Sequence, residues 1–502
     1  IRAGEFGAAR EYRMDAVKVV GAILQGRAGD PVLDITTRLI YVDRIRQPLL
    51  GSVERWLEGY LRARGGDPAV GPRIIREQVL TAGAIFATVD RLIARGAISP
   101  HLLRVIMGLW GRALTVPPER KPAVRRFQEE HGSVPPWFIA ISPGRACNLR
   151  CPGCYSASDG SSTRLPWPIL DRVVNEAKEL WGINLVVVSG GEPMAYRSEG
   201  KGLLDLVEKH DDCLFLMFTN GTLIDEAVAR RMERMGNITP ALSVEGLRER
   251  TDQARGTGVF DTVMTAMRRL GEVGVPVGIS ATATRQNSEE LLSDPFIDLF
   301  FEELGAFYGF LFQYMPMGRY PDVAMMPTPR QRLEVWRRSW EIVEKRKVFL
   351  FDFWNYGTMV HGCVAAGRER GYVHVDWNGK VMPCVFAPYS GGNINEVYER
   401  GGSLNDIWAS PFFQAIRGWQ KEYAGYAASA DDGGNWLAPC PVRDHHRLFM
   451  RWLDEYDPDP QDEETGLHLS SQEVREGLLR YEDEFGEMSS PLWESVYLDK
   501  PL

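Results

Sequence analysis

Three cysteines, Cys147, Cys151 and Cys154, are separated by three and then two residues and follow directly on the apolar run Phe138 to Ile141. Thiolates at such spacing are metal ligands. A loop that gives three of them to a four-iron cluster leaves one iron without a protein ligand, and that iron is where chemistry on a small molecule can occur. Zinc is the bland alternative, but it asks for four ligands, usually as paired Cys-x2-Cys arms, and no neighbouring Cys or His completes a set within this loop. At the end of the next expected strand stands Ser189-Gly190-Gly191-Glu192-Pro193. Glycines let a backbone approach a ligand closely, and the carboxylate beside them can accept hydrogen bonds from an ammonium group.

The two motifs, in this order, resemble those of the radical S-adenosylmethionine (SAM) superfamily. The resemblance implies that the free iron chelates the amino and carboxylate groups of SAM, and that one electron splits SAM into methionine and a 5'-deoxyadenosyl radical. It places Gly190, Gly191, Glu192 and Pro193 at the SAM amino group and Asn220, in Phe218-Thr219-Asn220-Gly221-Thr222, at a strand-end turn. Ser243-Val244-Glu245-Gly246 stands where relatives read Ser-x-Asp-Gly near the ribose. Glu245 is one methylene longer than that pattern, so Ser243 carries the ribose role ahead of it. Arg255 falls where relatives set an arginine against the SAM carboxylate, a pairing the planar guanidinium suits. Thr284 and Asn287 match a Thr-x-x-Asn turn on the adenine side. One departure is Gly153, where the family carries an aromatic residue before its third cysteine; Tyr155 is expected to compensate.

A second group is Cys363, Cys384 and Cys440. Tyr372 to Val385 reads as a hairpin turning at Asn378-Gly379, with Pro383 marking an edge strand. The spacing of Cys363, Gly379 and Cys384 resembles the opening of the SPASM and twitch auxiliary-cluster domains, which implies one further four-iron cluster. Its fourth position falls to Asp444, His445 or His446, or stays open for substrate. Three unrelated buried cysteines are the alternative. Cys213, the seventh cysteine, lies in an apolar run and reads as a small buried hydrophobe.

These loops need a scaffold. Strands are expected at Phe138–Ser142, Leu185–Ser189, Leu214–Thr219, Thr239–Val244, Val275–Thr284 and Gly309–Met315, alternating with amphipathic helices such as Pro168–Trp181 and Val259–Leu270. Helix-covered parallel strands put functional loops at their C-terminal ends. The expected fold class is α/β, a partial (β/α)6 TIM-like barrel with an N-terminal helical extension and a small C-terminal twitch-like α+β domain. The expected units are a helical extension over 1–133, the barrel over 134–328, a helical connector over 329–360, the auxiliary cluster domain over 361–446, and an acidic solvated tail with a last helix over 447–502. The extension includes helical faces around Val19, Val20 and Ile23 and around Trp56, Leu57 and Tyr60, and an apolar segment from Leu102 to Trp110 that suits docking on the barrel or contact with lipid. Ser470 with Glu473 reads as a capping box that opens the last helix.

The 502 residues are 44% hydrophobic and 25% charged, ordinary for a globular chain, and the net charge of −9 speaks against nucleic-acid binding. Few cysteines, no secretory pattern and no apolar run of about 20 residues point to a reducing cytoplasmic setting, with peripheral membrane contact as a further expectation. The expected enzyme uses SAM and two 4Fe-4S clusters, draws electrons from a ferredoxin or flavodoxin, and functionalises an unactivated C–H bond. Tyr314, Asp352 and Tyr356 are the candidate catalytic groups facing the cavity. A lipid-like or apolar substrate is favoured by Leu311, Phe312, Met315 and Met317; a peptide substrate for a crosslinking or oxidising maturase is the second reading, and a non-catalytic iron-sulfur or zinc protein the third.

Overall fold

The computed structural model describes residues 40–44, 46–48, 51, 59, 71–105, 121–423 and 433–498. The helical faces expected around Val19, Val20 and Ile23 and around Trp56, Leu57 and Tyr60 lie outside these residues, as does Ile106–Trp110 of the apolar segment. Among the described residues no helix is long and apolar enough to cross a membrane.

Ten strands form one sheet. They are β1 (Phe138–Ile141), β2 (Leu185–Val188), β3 (Leu214–Thr219), β4 (Ile238–Ser243), β5 (Gly278–Ala283), β6 (Gly309–Gln313), β7 (Leu350–Asp352), β8 (Tyr372–Val375), β9 (Lys380–Met382) and β10 (Gly392–Asn393). The order is β10-β9-β8-β1-β2-β3-β4-β5-β6-β7. Every pair from β8 through β1 to β7 is parallel, while β9 and β10 add antiparallel on the β8 side. The sheet is thus an open, curled α/β sheet compatible with a partial barrel. The six strands read from the sequence are present, and four more, β7 to β10, join them. β7 comes from the apolar run Val348-Phe349-Leu350-Phe351, inside the stretch expected to be a helical connector. β8 is the first arm of the expected hairpin, and it pairs with β1 in register from Phe138↔Tyr372 to Ile141↔Val375. The hairpin therefore continues the main sheet, and its return arm sets Cys384 beside Tyr372, at the start of β8.

Alternation sets which side chains face inward. On β3, Phe218 meets Phe310 and Phe312 of β6 with ring centroids 5.6 and 5.4 Å apart, although two strands separate β3 from β6. Only a curled sheet with both rings on its concave face allows that contact. Leu311 and Asp352, in register with each other, point the opposite way, toward the helices.

The helices that matter for the site are α1 (Pro72–Ala94), α2 (Trp167–Trp181), α3 (Arg248–Arg255), α4 (Val259–Glu272), α5 (Pro329–Arg346), α6 (His446–Tyr456) and α7 (Gln472–Tyr497). On α2, Leu170, Val173, Val174, Ala177 and Trp181 form a buried stripe at helical spacing, which shares Val173 and Ala177 with the stripe read from the sequence and leaves Ile169 and Leu180 half-buried. The stretch after Arg447 is not a solvated strand of chain. It forms α6 and α7, which bury Phe449, Trp452, Leu478, Phe485 and Trp493 and leave their acidic residues outward. The last helix opens on Ser471, whose hydroxyl accepts from Val474 N, one residue after the Ser470 expected to cap it. α7 returns to α1 and α5, where Tyr497 donates to the buried Glu77 at 2.7 Å.

Candidate functional site

The Cys147–Cys154 loop leaves the top of β1 and is clamped from both sides. From the β2 loop, Gly191 N donates to Gly144 O (3.0 Å) and Glu192 N to Ala146 O (2.8 Å). A Cβ on Gly191 would lie 2.2 Å from Ala146 O, so only glycine permits this approach. From the β6 loop, a Cβ on Gly318 would lie 2.2 Å from Cys154 O. Arg319 next to it donates through its backbone to Cys154 O (2.9 Å), through Nη1 to Cys151 O (2.8 Å) and through Nη2 to Ser158 O. Sequence reasoning gave Gly318-Arg319 no role; its signal was a glycine just after a strand, like those of the other loops.

The departure at Gly153 has a counterpart in space. Gly153 has φ +66°, and a Cβ there would sit 2.9 Å from Cε2 of Tyr314. The aromatic ring beside the third cysteine is thus delivered from the end of β6, with its hydroxyl accepting from Asp322 N at 3.1 Å. Tyr155 instead turns away, its hydroxyl 2.6 Å from Ser189 Oγ and accepting from Gly190 N.

The polar groups converge above the strands. Glu192 accepts from Met194 N (3.0 Å) and Thr219 Oγ1 (2.7 Å) through one oxygen and from Asn220 N (2.8 Å) through the other. Burial nonetheless holds its pKa above the usual carboxylate value. Asn220 Nδ2 lies 3.8 Å from Cys147 Sγ and 2.9 Å from Asn148 Oδ1. The longer Glu245 uses its extra methylene to reach Arg255 at 2.6 Å and also accepts from Thr282 N. Arg255 Nε is buried and has no hydrogen-bond partner among the described residues, and the guanidinium lies close enough to Cys151 and Cys154 to interact with both electrostatically. A cation with a spare donor beside the thiolates fits an anionic ligand group. Asn287 is committed internally: it accepts from Thr284 N and Oγ1 and donates to Glu245 O and Thr282 O, tying the β5 loop to the β4 loop. Ser243 ends β4 in register with Ser280. Pro193 starts the short helical turn that aims Glu192 inward.

Cys363, Cys384 and Cys440 line one apolar cavity together with Phe353, Trp354 and Phe386. Burial pushes the Cys147 and Cys363 thiols up to about 11 and Cys384 up to about 12. Such thiols stay protonated until a metal displaces the proton, as metal-linked deprotonation requires. Among the described residues no three His, Cys, Asp or Glu side chains converge on a point where they could chelate a single ion; thiolate triads serving a multi-iron cluster do not need to. Tyr372 Oη lies 3.0 Å from Cys384 Sγ. Of the proposed fourth ligands, Asp444 is paired with Arg332 (2.6 Å) and Arg443 (3.1 Å), which hold its carboxyl well below the usual range. His445 Nε2 is 2.9 Å from Ala438 O, and His446 Nδ1 is 2.8 Å from Val442 O.

The structure separates the three catalytic candidates. Tyr314 stands beside the cysteine loop. Asp352 does not face the interior: it points to the helix side, where it accepts from Asn355 Nδ2 (2.6 Å) and the backbone of Trp354 and Asn355. Tyr356 also lies behind the sheet, stacked 4.2 Å from Trp340 of α5. The strand register decides this, because Phe351 and Phe353 take the inward positions flanking Asp352. Sequence reasoning also missed Phe386, two residues after Cys384, whose ring meets Tyr155, Phe312, Phe353 and Trp354.

Comparison with known proteins agrees with this arrangement. The radical SAM superfamily matches residues 141–292, and the SPASM iron-sulfur cluster-binding domain matches residues 363–430. The mycofactocin maturase MftC of Mycobacterium tuberculosis is 28% identical over 353 residues, 66% of this chain and 84% of the relative. The AdoMet-dependent heme synthase of Methanosarcina barkeri is 25% identical over 299 residues, 52% of this chain and 80% of the relative. In fold, Streptococcus suis SuiB bound to its precursor peptide SuiA superposes with a TM-score of 0.52 at 18% identity, covering 73% of this chain and 81% of that one. Cys147, Cys151, Cys154, Cys363 and Cys384 fall within the matched domains and Cys440 lies beyond the second, and their donor chemistry fits the SAM-binding and auxiliary iron-sulfur clusters that these domains carry. The chain is an enzyme that carries a radical SAM domain over residues 141–292 and a SPASM iron-sulfur cluster-binding domain over residues 363–430.

Proposed function

We propose that this enzyme removes a hydrogen atom from an unactivated C–H bond of an apolar substrate group held against the ring-lined concave face of the sheet. The observation that carries this reading is the continuous aromatic wall, Phe218, Phe310, Phe312, Phe353, Trp354 and Phe386, which runs from the Cys147 loop to the Cys363–Cys384–Cys440 cavity. In this reading Cys147, Cys151 and Cys154 hold a four-iron cluster, and SAM bound there and reduced supplies a 5'-deoxyadenosyl radical. Glu192 with the Gly190-Gly191 backbone orients the SAM ammonium, and Arg255 orients its carboxylate. Ser243, Glu245, Thr284 and Asn287 shape the nucleoside side, with Asn287 acting as a tie between loops. Tyr314 closes the space over Gly153. The rings exclude water, which protects a reactive intermediate and keeps a substrate C–H in place. Cys363, Cys384 and Cys440 hold the auxiliary cluster, on the side of the wall where an electron left on the substrate could be accepted.

The relative named a heme synthase favours a large apolar substrate of this kind. A peptide that offers an apolar side chain is the second reading, and the likeness to a maturase favours it. The test is anaerobic reconstitution followed by SAM cleavage under dithionite. Formation of 5'-deoxyadenosine, abolished by Cys147→Ala, supports the reading; a reconstituted protein that leaves SAM intact overturns it. Stimulation of turnover by peptides or by lipids and macrocycles then separates the two substrate classes.

A further inference from the structure

Beside the second cysteine group stands a hydroxyl whose proton has one destination. Tyr372 opens β8 and is buried. Its backbone is pinned: its N–H donates to Val364 O (3.0 Å), next to Cys363, and its carbonyl accepts from Gly367 N (2.9 Å). Its ring stacks on Phe138 of β1, with centroids 4.8 Å apart and planes 12° from parallel. So held, Tyr372 Oη lies 3.0 Å from Cys384 Sγ and accepts from Val385 N at 3.4 Å. With a backbone donor on its oxygen, the phenol turns its own O–H to the sulfur. Phe386 N donates to the same sulfur (3.4 Å), and Tyr372 is near enough to Cys363 to interact with it electrostatically. The first cysteine group is served differently. Leu149 N donates to Cys147 Sγ (3.4 Å), and Asn220 Nδ2 approaches it at 3.8 Å. Ser156 Oγ lies 3.3 Å from Cys154 Sγ, but its one proton goes to Gly190 O at 3.1 Å. Among the described residues Tyr372 is thus the hydroxyl that donates to a cysteine of either group.

We propose that Tyr372 is a positioning residue that sets the reduction potential of the auxiliary cluster, through the hydrogen bond from its hydroxyl to the Cys384 sulfur. The proposal rests on the reading that Cys363, Cys384 and Cys440 hold that cluster. A reduced cluster carries one more electron than the oxidised one, and part of that charge falls on the cysteine sulfurs. A donor aimed at a sulfur therefore stabilises the reduced form more and moves the potential toward positive values. Burial works the other way, because an apolar surrounding disfavours the more charged form. The cavity here is lined by Phe353, Trp354 and Phe386, so burial by itself would hold the cluster low. The same low dielectric strengthens the hydrogen bond, which lets one buried phenol offset part of that cost. The electron-accepting role proposed for this cluster needs the offset. No bond is made or broken, and Tyr372 keeps its proton in both states.

The test is a redox titration of the whole reconstituted chain followed by electron paramagnetic resonance, with the two clusters told apart by SAM, which alters the signal of the cluster that binds it. Tyr372→Phe keeps the ring on Phe138 and removes only the hydroxyl. Its auxiliary cluster should be reduced about tenfold less readily, a shift of about 59 mV toward negative potential. The SAM-binding cluster and the iron content should be unchanged. Replacing Tyr372 by a monofluorinated tyrosine, a stronger donor with the same ring, should shift the auxiliary cluster the other way, and this replacement decides the matter if Tyr372→Phe loses iron. An auxiliary potential that stays at the wild-type value, or that moves in the same direction with both replacements, would overturn the role of Tyr372 and leave the cluster assignment intact. An iron content that does not fall when Cys363, Cys384 and Cys440 are all converted to Ala would overturn both.

Discussion

The rings of Tyr155 and Phe386 meet with centroids 5.9 Å apart and planes tilted by 56°. Tyr155 directly follows Cys154, and Phe386 N donates to Cys384 Sγ at 3.4 Å, so one aromatic contact joins the two cysteine groups. Removing the Phe386 ring opens space between them and lets water reach the substrate wall. Phe386→Ala should cut product formed per 5'-deoxyadenosine about tenfold, a loss of about 1.4 kcal/mol of discrimination, while Phe386→Leu retains most of it. Product and 5'-deoxyadenosine quantified in the same reaction check this; an unchanged ratio in Phe386→Ala would refute it.

Gly191 has no room for a side chain, since a Cβ would overlap Ala146 O. Gly191→Ala must push the β2 loop off the cysteine loop, an overpacking cost of about 1–3 kcal/mol. SAM affinity should fall about tenfold or more on that scale, with the iron bound by Cys363, Cys384 and Cys440 retained. Equilibrium SAM binding and iron analysis give the two readouts.

Converting Cys363, Cys384 and Cys440 together to Ala should remove about half of roughly eight irons, those of one of two four-iron clusters. Some SAM cleavage should survive, because the Cys147 loop is clamped by Gly191 and Arg319 and not by the second triad. Four irons in the intact protein would defeat the two-cluster count.

The Arg332–Asp444 pair is fully buried and ties α5 to the segment after Cys440, whose backbone N also donates to Asp444 at 3.1 Å. Asp444→Asn leaves two buried guanidinium groups short of their counter-ion and should cost about 3–5 kcal/mol. The depressed Asp444 pKa contributes stability that is fully present above about 4, the unfolded value, and is lost as pH falls below it toward the folded value. Thermal melts should show Asp444→Asn less stable at pH 7, with the difference from wild type shrinking below pH 4.

Burial holds His374 neutral with its pKa lowered to about 3, its Nε2 2.8 Å from Ser142 Oγ. Between that value and the unfolded value of about 6.5 the unfolded chain binds the extra proton, so this residue makes stability fall as pH drops through the window. His374→Gln, which keeps a polar partner for Ser142, should flatten the acid slope by up to about 1.4 kcal/mol per pH unit. Chemical denaturation at pH 7 and pH 5 measures it; an identical slope in the two proteins would exclude the effect.

Short-range pattern determined a good deal of this protein. The cysteine spacings, the Gly190-Gly191-Glu192 run, the amphipathic stripe of α2 and the Asn378-Gly379 turn each express a local rule, and each is found where the chain order puts it. Arg255 was legible as a cation near the site; its pairing with Glu245 was not, because it depends on how a side chain one methylene longer crosses between β4 and α3. Tertiary structure alone decided which face Asp352 and Tyr356 present, since a strand's inward set is fixed by register with its neighbours and reverses with a shift of one residue. It also placed Tyr314 against Gly153, seated Phe386 against Tyr155 and added β8 to β1. Those relationships join residues more than a hundred positions apart, and no sequence window spans the curl of the sheet that brings them together.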